Sequence, residues 1–313
     1  MKRVVIALGG NALQEGNGPA TAEAQLQVVE QTSEFIADII QAGYEVVMAH
    51  GNGPQVGRIV LQNENSVNVT PAMPFDVCGA MSQGLIGYHI QQALKKVLTK
   101  RGIKKDVVTV VTQVVVGKDD PAFQAPSKPI GPFYDKETAQ KLQAEKGWAV
   151  KGDAGRGYRR VVASPNPLQI VELDAVKELI KAGFIVVTVG GGGIPVFKNG
   201  EGDYEGTAAV IDKDLASERL SEDLNADALL ILTAVEQVCI NYGKPDEKRL
   251  ASLTLEEARK YMDEGHFAPG SMKPKIQAAM RFAASKAGRR AIITSLDKAV
   301  PALRGEAGTT IVQ

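Results

Sequence analysis

Short runs of apolar residues alternate along the chain with longer segments whose apolar positions have helical spacing. Residues 4–8 are apolar, too short to span a membrane, and followed by two glycines, which predicts a buried strand that ends in a tight turn. After a predicted N-cap at Thr21, apolar residues with helical spacing predict a helix that Gly43 ends; they are Leu26, Val29, Ile36, Ile39 and Ile40. Residues 44–49 predict the next strand.

The same alternation continues through most of the sequence. A helix is predicted over residues 76–100, and the β-branched run 107–116 predicts one continuous buried strand. Strands that alternate with helices in this way favour a parallel sheet with right-handed crossovers, and therefore an α/β fold. The pattern predicts further helices over residues 173–181, 212–225, 254–264 and 274–287, and further strands over residues 184–189, 228–233 and 291–294. A closing segment ends in residues 309–312.

The alternation is interrupted between residues 117 and 167, where proline and glycine are frequent. We interpret this stretch as an inserted subdomain that protrudes from the fold and acts as a lid. The chain as a whole, residues 1–313, is predicted to be one domain with two lobes. Residues 1–224 form the N-terminal lobe, and residues 225–313 form the C-terminal lobe.

Composition excludes several classes of protein. The 36 basic residues balance the 36 acidic residues, so no overall field attracts nucleic acid or a membrane surface. The first apolar run is shorter than the core of a signal peptide, which favours a cytoplasmic protein. The three histidines are too scattered for a metal site, and Cys78 and Cys239 are predicted to be reduced core thiols.

Three predicted strands are each followed by a glycine turn. The turns contain Gly9 and Gly10, then Gly51, Asn52 and Gly53, and finally residues 190–193. The second and third turns follow similar helix and strand sequences, a similarity that chance use of common βα patterns could also produce. Because glycine lets a ligand approach the main chain closely, three such turns at one sheet edge favour a site for a polyanion.

Lysines occur where helix dipoles disfavour them. Lys213 lies in a predicted first turn between two aspartates, and Lys275 lies in another, where Pro274 is predicted to be the first helical residue. Lys128 is restrained by neighbouring prolines. A bound phosphate would make these positions favourable, so the set predicts phosphoryl transfer. The sequence lacks the P-loop and protein-kinase motifs, and its GxGxxxG differs from the dinucleotide fingerprint.

Six motifs in order along the whole chain resemble the carbamate kinases of the amino acid kinase superfamily. They comprise residues 6–12, 50–57, 128–132, 190–195, 211–214 and 269–275. The resemblance implies a three-layer αβα sandwich around a central, mainly parallel sheet of about eight strands. It also implies a homodimer that converts ADP and carbamoyl phosphate to ATP and carbamate with Mg²⁺, usually in arginine or purine-derivative breakdown.

The resemblance also assigns roles to individual residues. The catalytic set that it implies is Lys128, Lys213, Asp214 and Lys275. Carbamate and the transferred phosphoryl group would bind at Gly9, Gly10, Asn11, Gly51, Asn52 and Gly53. Lys275 would also contact the nucleotide, together with Thr233, Ala234, Val235, Tyr242 and Met272. No direct metal ligand is expected from the protein.

Two departures from the wider superfamily affect this interpretation. Acetylglutamate-kinase-like members have Lys-x-Gly-Gly in the first turn, whereas this chain has Ala7-Leu8-Gly9-Gly10, so Lys128 would replace the missing charge. Glu236-Gln237 stands where many relatives have Asp-Gly. Two alternatives stay open: another acid or amino-acid kinase of the same fold, and a nucleotide-binding regulatory protein without turnover.

Overall fold

The computed structural model describes residues 2–15, 18–152 and 157–313. Its helices are α1 (Ala22–Gln41), α2 (Gly53–Asn65), α3 (Phe75–Lys100), α4 (Lys136–Lys146), α5 (Leu173–Lys181), α6 (Lys213–Asp223), α7 (Leu255–Asp263), α8 (Met272–Ser285) and α9 (Ala299–Arg304). Its strands are β1 (Arg3–Leu8), β2 (Glu45–His50), β3 (Val107–Thr109), β4 (Gln113–Val115), β5 (Lys128–Tyr134), β6 (Val150–Gly152), β7 (Tyr158–Val162), β8 (Gln169–Ile170), β9 (Ile185–Val187), β10 (Ile194–Lys198), β11 (Tyr204–Gly206), β12 (Ala228–Thr233), β13 (Val238–Ile240), β14 (Lys248–Leu250), β15 (Ser252–Thr254), β16 (Arg290–Ser295) and β17 (Thr309–Val312).

The main sheet has eight strands in the order β15-β17-β16-β12-β1-β2-β9-β3. All neighbours are parallel except β16 and β17. Strand β1 lies between β2 and β12, and Val5 is in register with both Val47 and Leu229. Both sides of the predicted lobe boundary therefore contribute strands to the same sheet.

Both faces of the main sheet are covered by helices. Val5 and Ala7 point into one apolar core with residues of α6 and α8, whereas Val4 and Ile6 point into a second core with residues of α1 and α3. This alternation follows from the two-residue period of a strand, and it requires apolar residues on both faces. The predicted α/β sandwich is thus confirmed.

The apolar run 107–116 does not form the single strand that its sequence predicts. Strand β3 belongs to the main sheet, but β4 belongs to a second sheet in the order β11-β10-β4-β8. Between these two strands the extended conformation is interrupted around Thr112, which is fully buried. The side chain of Gln83 accepts a hydrogen bond from the Thr112 N–H at 2.8 Å and donates one to its carbonyl at 3.0 Å. A buried side chain therefore replaces the hydrogen bonds that a continuous strand would make.

The inserted stretch contains a small antiparallel sheet in the order β5-β7-β6, with α4 between β5 and β6. Strand β5 packs directly on α2, and a Cβ at residue 57 would lie 2.1 Å from the Cα of Gly131. Glu64, at the end of α2, pairs with Lys146 at 2.5 Å and with Arg160 at 3.4 Å. The lid movement predicted for this segment stays a prediction.

In the part of the chain that the structure describes, no helix is both long and apolar enough to cross a membrane.

Candidate active site

The first glycine turn follows β1 at the carboxyl edge of the main sheet. Gly10–Ala12 form a single 3₁₀ turn, in which the Ala12 N–H donates to the carbonyl of Gly9. A Cβ at residue 9 would lie 2.9 Å from the carbonyl oxygen of Leu232, near the end of β12. Glycine is therefore needed here because the turn passes close to the neighbouring strand.

The second turn follows β2 and leads into α2. Gly51 is covered by Lys213, whose Cδ would lie 3.2 Å from a Cβ at residue 51. The side-chain amide of Asn52 is buried and donates to the hydroxyl of Ser82 at 2.8 Å. This hydrogen bond to α3 fixes the orientation of the Asn52 side-chain amide.

The third turn, residues 189–193, is buried and strained. Val189 has a φ of 44°, which a β-branched residue rarely adopts, and Gly191, Gly192 and Gly193 also have positive φ. A Cβ at residue 191 would lie 2.2 Å from the side-chain nitrogen of Asn52. The second and third turns are thus in direct contact, as expected for turns at one sheet edge.

Three of the predicted catalytic residues meet at the start of α6. The Asp214 carboxylate accepts hydrogen bonds from Lys213 and from Lys275, the latter at 2.9 Å. All three side chains are almost fully buried, with 3% exposure for Asp214. Helix α8 begins at Met272, two residues before Pro274, so the prediction that Pro274 is its first residue is wrong. Lys275 nevertheless lies in the first turn of α8.

Burial and proximity shift the protonation of this cluster. Burial lowers the pKa of Lys213 to about 8, although the Asp214 charge opposes the shift. Burial acts to raise the pKa of Asp214, but the two ammonium groups dominate and hold it below its usual range. Burial also acts to lower the pKa of Lys275, but Asp214 raises it above its ordinary value. The cluster therefore holds one anion between two unequal cations.

The fourth predicted catalytic residue reaches the same place from the inserted segment. Lys128, the first residue of β5, donates to the carboxylate of Asp212 at 2.6 Å. Asp212 is the N-cap of α6, and its other oxygen accepts the Asp214 N–H at 2.8 Å. The structure thus brings Lys128, Lys213 and Lys275 together beside the glycine turns.

The predicted nucleotide-binding residues lie at or just beyond the ends of β12 and β13 or in the first turn of α8, and all of them come from the C-terminal part of the chain. Thr233, Ala234 and Val235 lie at and just beyond the end of β12, next to the first glycine turn. Met272 begins α8, one turn before Lys275. Tyr242 follows β13 and is 70% exposed. Among the residues that the structure describes, no group of three or more metal-ligating side chains could hold a metal ion.

Three buried polar residues without a predicted role, His50, Ser82 and Gln83, contact the glycine turns. His50 is fully buried, and its Nδ1 lies 2.9 Å from the carbonyl oxygen of Gly51. Ser82 bonds Asn52, while Gln83 donates to the carbonyl of Gly190 at 2.9 Å. The detectable signal was a pair of adjacent polar residues, Ser82 and Gln83, in a helix whose neighbouring buried positions are mostly apolar.

Comparisons with known proteins agree with this geometry. Residues 2–295 match the amino acid kinase family. The carbamate kinase of Clostridium perfringens is 55% identical over 314 residues, which cover 99% of this chain and 100% of the relative. The carbamate kinase of Thermococcus kodakarensis is also 55% identical, with 100% coverage of both chains. A structure of Giardia lamblia carbamate kinase bound to AMP-PNP has a TM-score of 0.91 at 47% identity, covering 99% of this chain and 98% of its own.

The chain therefore belongs to the amino acid kinase family, and it is a phosphotransferase. Its full-length relatives place it among the carbamate kinases of that family.

Proposed function

We propose that the protein catalyses reversible phosphoryl transfer from ATP to carbamate, which gives ADP and carbamoyl phosphate. The observation that carries the proposal is the buried Asp214, which pairs with both Lys213 and Lys275 and holds Lys213 against Gly51. Full-length relatives at 55% identity are carbamate kinases. Such a cluster positions positive charge beside main-chain groups at a place where a phosphoryl group could pass between donor and acceptor.

In this proposal the lysines stabilise the transferred group without forming a covalent intermediate. Lys213 and Lys275 neutralise oxygens of the nucleotide phosphates, and Lys128 neutralises the acceptor side. Asp214 orients the first two lysines. The glycine turns at Gly9, Gly10 and Asn11 and at Gly51, Asn52 and Gly53 bind the acceptor and the phosphoryl group through main-chain and amide donors.

The nucleotide is proposed to enter from the C-terminal side, along Thr233, Ala234, Val235, Tyr242 and Met272, with Mg²⁺ bound to its phosphates. The site carboxylates, Asp212 and Asp214, are already engaged by lysines. This donor set fits a magnesium ion that coordinates mainly phosphate and water oxygens. The ion would supply additional charge neutralisation on the phosphates.

The acceptor is proposed to be small and planar. The glycine turns offer amides and main-chain groups, while Arg58 lies on α2, where it donates to Gln14 at 2.9 Å. An amino acid acceptor would bring an extra amine or carboxylate, and each unpaired buried group costs about 1 to 3 kcal/mol. Carbamate has one carboxylate and an uncharged NH2 on the same carbon but no second charged group, so the site suits it better than glutamate or acetylglutamate.

A coupled assay of ATP formation from ADP and carbamoyl phosphate tests the proposal. We expect ATP formation with carbamoyl phosphate, and phosphorylation of carbamate but not of glutamate, acetylglutamate, aspartate or UMP in the reverse direction. Turnover of acetylglutamate or aspartate at comparable kcat/KM would replace the proposal with another kinase of this family. Binding of ADP without any turnover would support a regulatory protein instead.

We also propose that the protein is a homodimer joined through α3. One face of this helix carries exposed apolar residues about one turn apart: Val77, Met81, Leu85 and Tyr88. Exposed Val111 also borders a surface cavity with Val77. A continuous apolar stripe on a monomer surface is typical of a protein interface.

Sedimentation velocity tests the dimer. Leu85→Glu places a charge in the stripe and should convert the protein to monomers at micromolar concentration. Thr99→Glu introduces the same charge farther along the helix and should leave the dimer intact. A wild-type monomer, or a Leu85→Glu dimer of unchanged affinity, would contradict the proposed interface.

The proposed location is the cytoplasm. Cys78 and Cys239 are both free thiols, which suits a reducing compartment. Fractionation of cells that express the chain, with soluble and membrane marker enzymes as controls, tests this location.

A further inference from the structure

Asp212 occupies an unusual position for an acidic side chain. It is 7% exposed and lies beside Asp214, in a site proposed to bind a polyanion. A second carboxylate repels phosphate and weakens the positive potential of the three lysines. A favourable interaction of Asp212 must therefore offset this electrostatic repulsion.

Capping of α6 does not supply that interaction. One carboxylate oxygen of Asp212 accepts the Asp214 N–H, which is the task of an N-cap. Asparagine and serine cap a helix about as well as aspartate, and neither adds a charge. Helix capping therefore does not explain why this residue is charged.

The other oxygen of Asp212 holds Lys128. The Lys128 Nζ lies 2.6 Å from the Asp212 Oδ2. The lysine side chain is 25% exposed and the aspartate side chain is 10% exposed. The partners are 84 positions apart in the sequence, and Lys128 comes from the inserted segment. Lys213 and Lys275 both pair with Asp214, so Asp212 supplies the carboxylate partner of the third lysine.

The main chain fixes this pairing through one shared strand. Lys128 of β5 is in register with Val162 of β7. The next residue, Ala163, accepts a hydrogen bond from the Val210 N–H at 2.9 Å, two residues before Asp212. The segments that carry Lys128 and Asp212 thus both pair with the same short stretch of main chain, residues 162–163.

We propose that Asp212 is a positioning residue, which holds the Lys128 ammonium above the start of α6 so that it meets the transferred phosphoryl group in the correct place. An unanchored lysine would sample many rotamers and would have to lose that freedom during each reaction. The inference rests on the proposed function, because it requires Lys128 to act in phosphoryl transfer.

The test uses two substitutions that keep the cap and remove the anchor, Asp212→Asn and Asp212→Ser. We expect kcat for ATP formation to fall about tenfold, the effect of losing roughly one charge-assisted hydrogen bond. The KM for ADP should change by less than about twofold, because Lys213 and Lys275 keep their partner. Asp135→Asn is the matched control: Asp135 also caps a helix, accepting the Thr138 N–H at 2.7 Å, and should retain full activity.

A double-mutant cycle with Lys128→Ala separates positioning from a general structural effect. If Asp212 acts through Lys128, Asp212→Asn should add almost nothing to the loss caused by Lys128→Ala. Fully additive losses, or wild-type kcat in both Asp212 variants, would overturn the inference. Full activity of Lys128→Ala would instead refute the proposed role of Lys128 itself, and ATP formation by the wild type would still test the overall function.

Discussion

At the scale of single residues, the proposed chemistry centres on Asp214, which is buried between two lysines at the start of α6. Removing Lys213 should eliminate one preorganised cation from the transition state, so Lys213→Ala should lower kcat on the order of 10²-fold. Asp214→Asn should cause a loss of similar size because both lysines lose their anchor. Steady-state kinetics of folded variants measures this effect, and Lys177→Ala on the exposed face of α5 provides a control. Near-normal turnover in both site variants would refute the assignment.

The lowered pKa of Lys213 has a consequence for the pH dependence of catalysis. Since burial brings this pKa to about 8, the free enzyme should lose the Lys213 proton as the pH rises through about 8. We expect kcat/KM to fall in that range. Bound phosphates favour the charged lysine, so the decrease in kcat should occur at higher pH. A pH profile of Lys213→Arg should lack the limb near pH 8, and its persistence there would assign the limb to another group.

At the scale of secondary-structure elements, the contact of α2 with β5 fixes the inserted segment. Alanine favours a helix over glycine by about 1 kcal/mol. Gly57→Ala should nevertheless impair the enzyme, because its Cβ would lie 2.1 Å from the Cα of Gly131 and push β5 and Lys128 away. Hydrogen exchange in residues 128–134 should become faster and kcat should fall.

Gly79→Ala on α3 is the matched control for this substitution. A Cβ at residue 79 meets no atom within 4 Å among the described residues, so the variant should keep wild-type exchange and activity. If Gly57→Ala behaves like Gly79→Ala, the close packing of α2 on β5 does not control the position of Lys128.

Sequence patterns predicted most elements but could not show how one apolar run is divided between two sheets. Strand β12 and α5 were predicted with their observed bounds, because turn residues delimit them. The run 107–116 contains neither proline nor glycine, and it is rich in valine on both sides of Thr112, so no local signal marks the interruption there. The break depends on Gln83, which is distant in sequence. The pairing of Lys128 with Asp212 could not be predicted either, because the two residues are 84 positions apart in the sequence.

At the scale of the whole molecule, His50 should make folding sensitive to acid. Burial lowers its pKa from 6.5 to about 4, although the carbonyl of Gly51 opposes the shift. Between these values the unfolded chain binds the proton and the folded chain does not. The free energy of unfolding should therefore fall as the pH decreases through this window, by an amount on the order of 3 kcal/mol.

Urea unfolding at several pH values between about 7 and 4 measures this loss. In His50→Gln the side chain does not titrate, so the same pH change should have a much smaller effect on stability. An equal loss in the variant would assign the acid sensitivity to other groups.

The order of the strands also determines how far apart the two proposed substrate-binding surfaces lie. Strand β1 separates β2, which leads to the acceptor turn, from β12, which leads to the proposed nucleotide residues. Adjacent strands are about 4.8 Å apart, so these two ends are separated by about 10 Å across the Gly9 turn. The hydrogen-bonded ladder thus sets the distance between the two proposed binding surfaces, whereas the phosphoryl group itself would move only between two reacting oxygens held about 3 Å apart. A deletion of one residue within β1 would shift its register against both neighbours at once, and would misalign the two substrates even if each binding surface stayed intact.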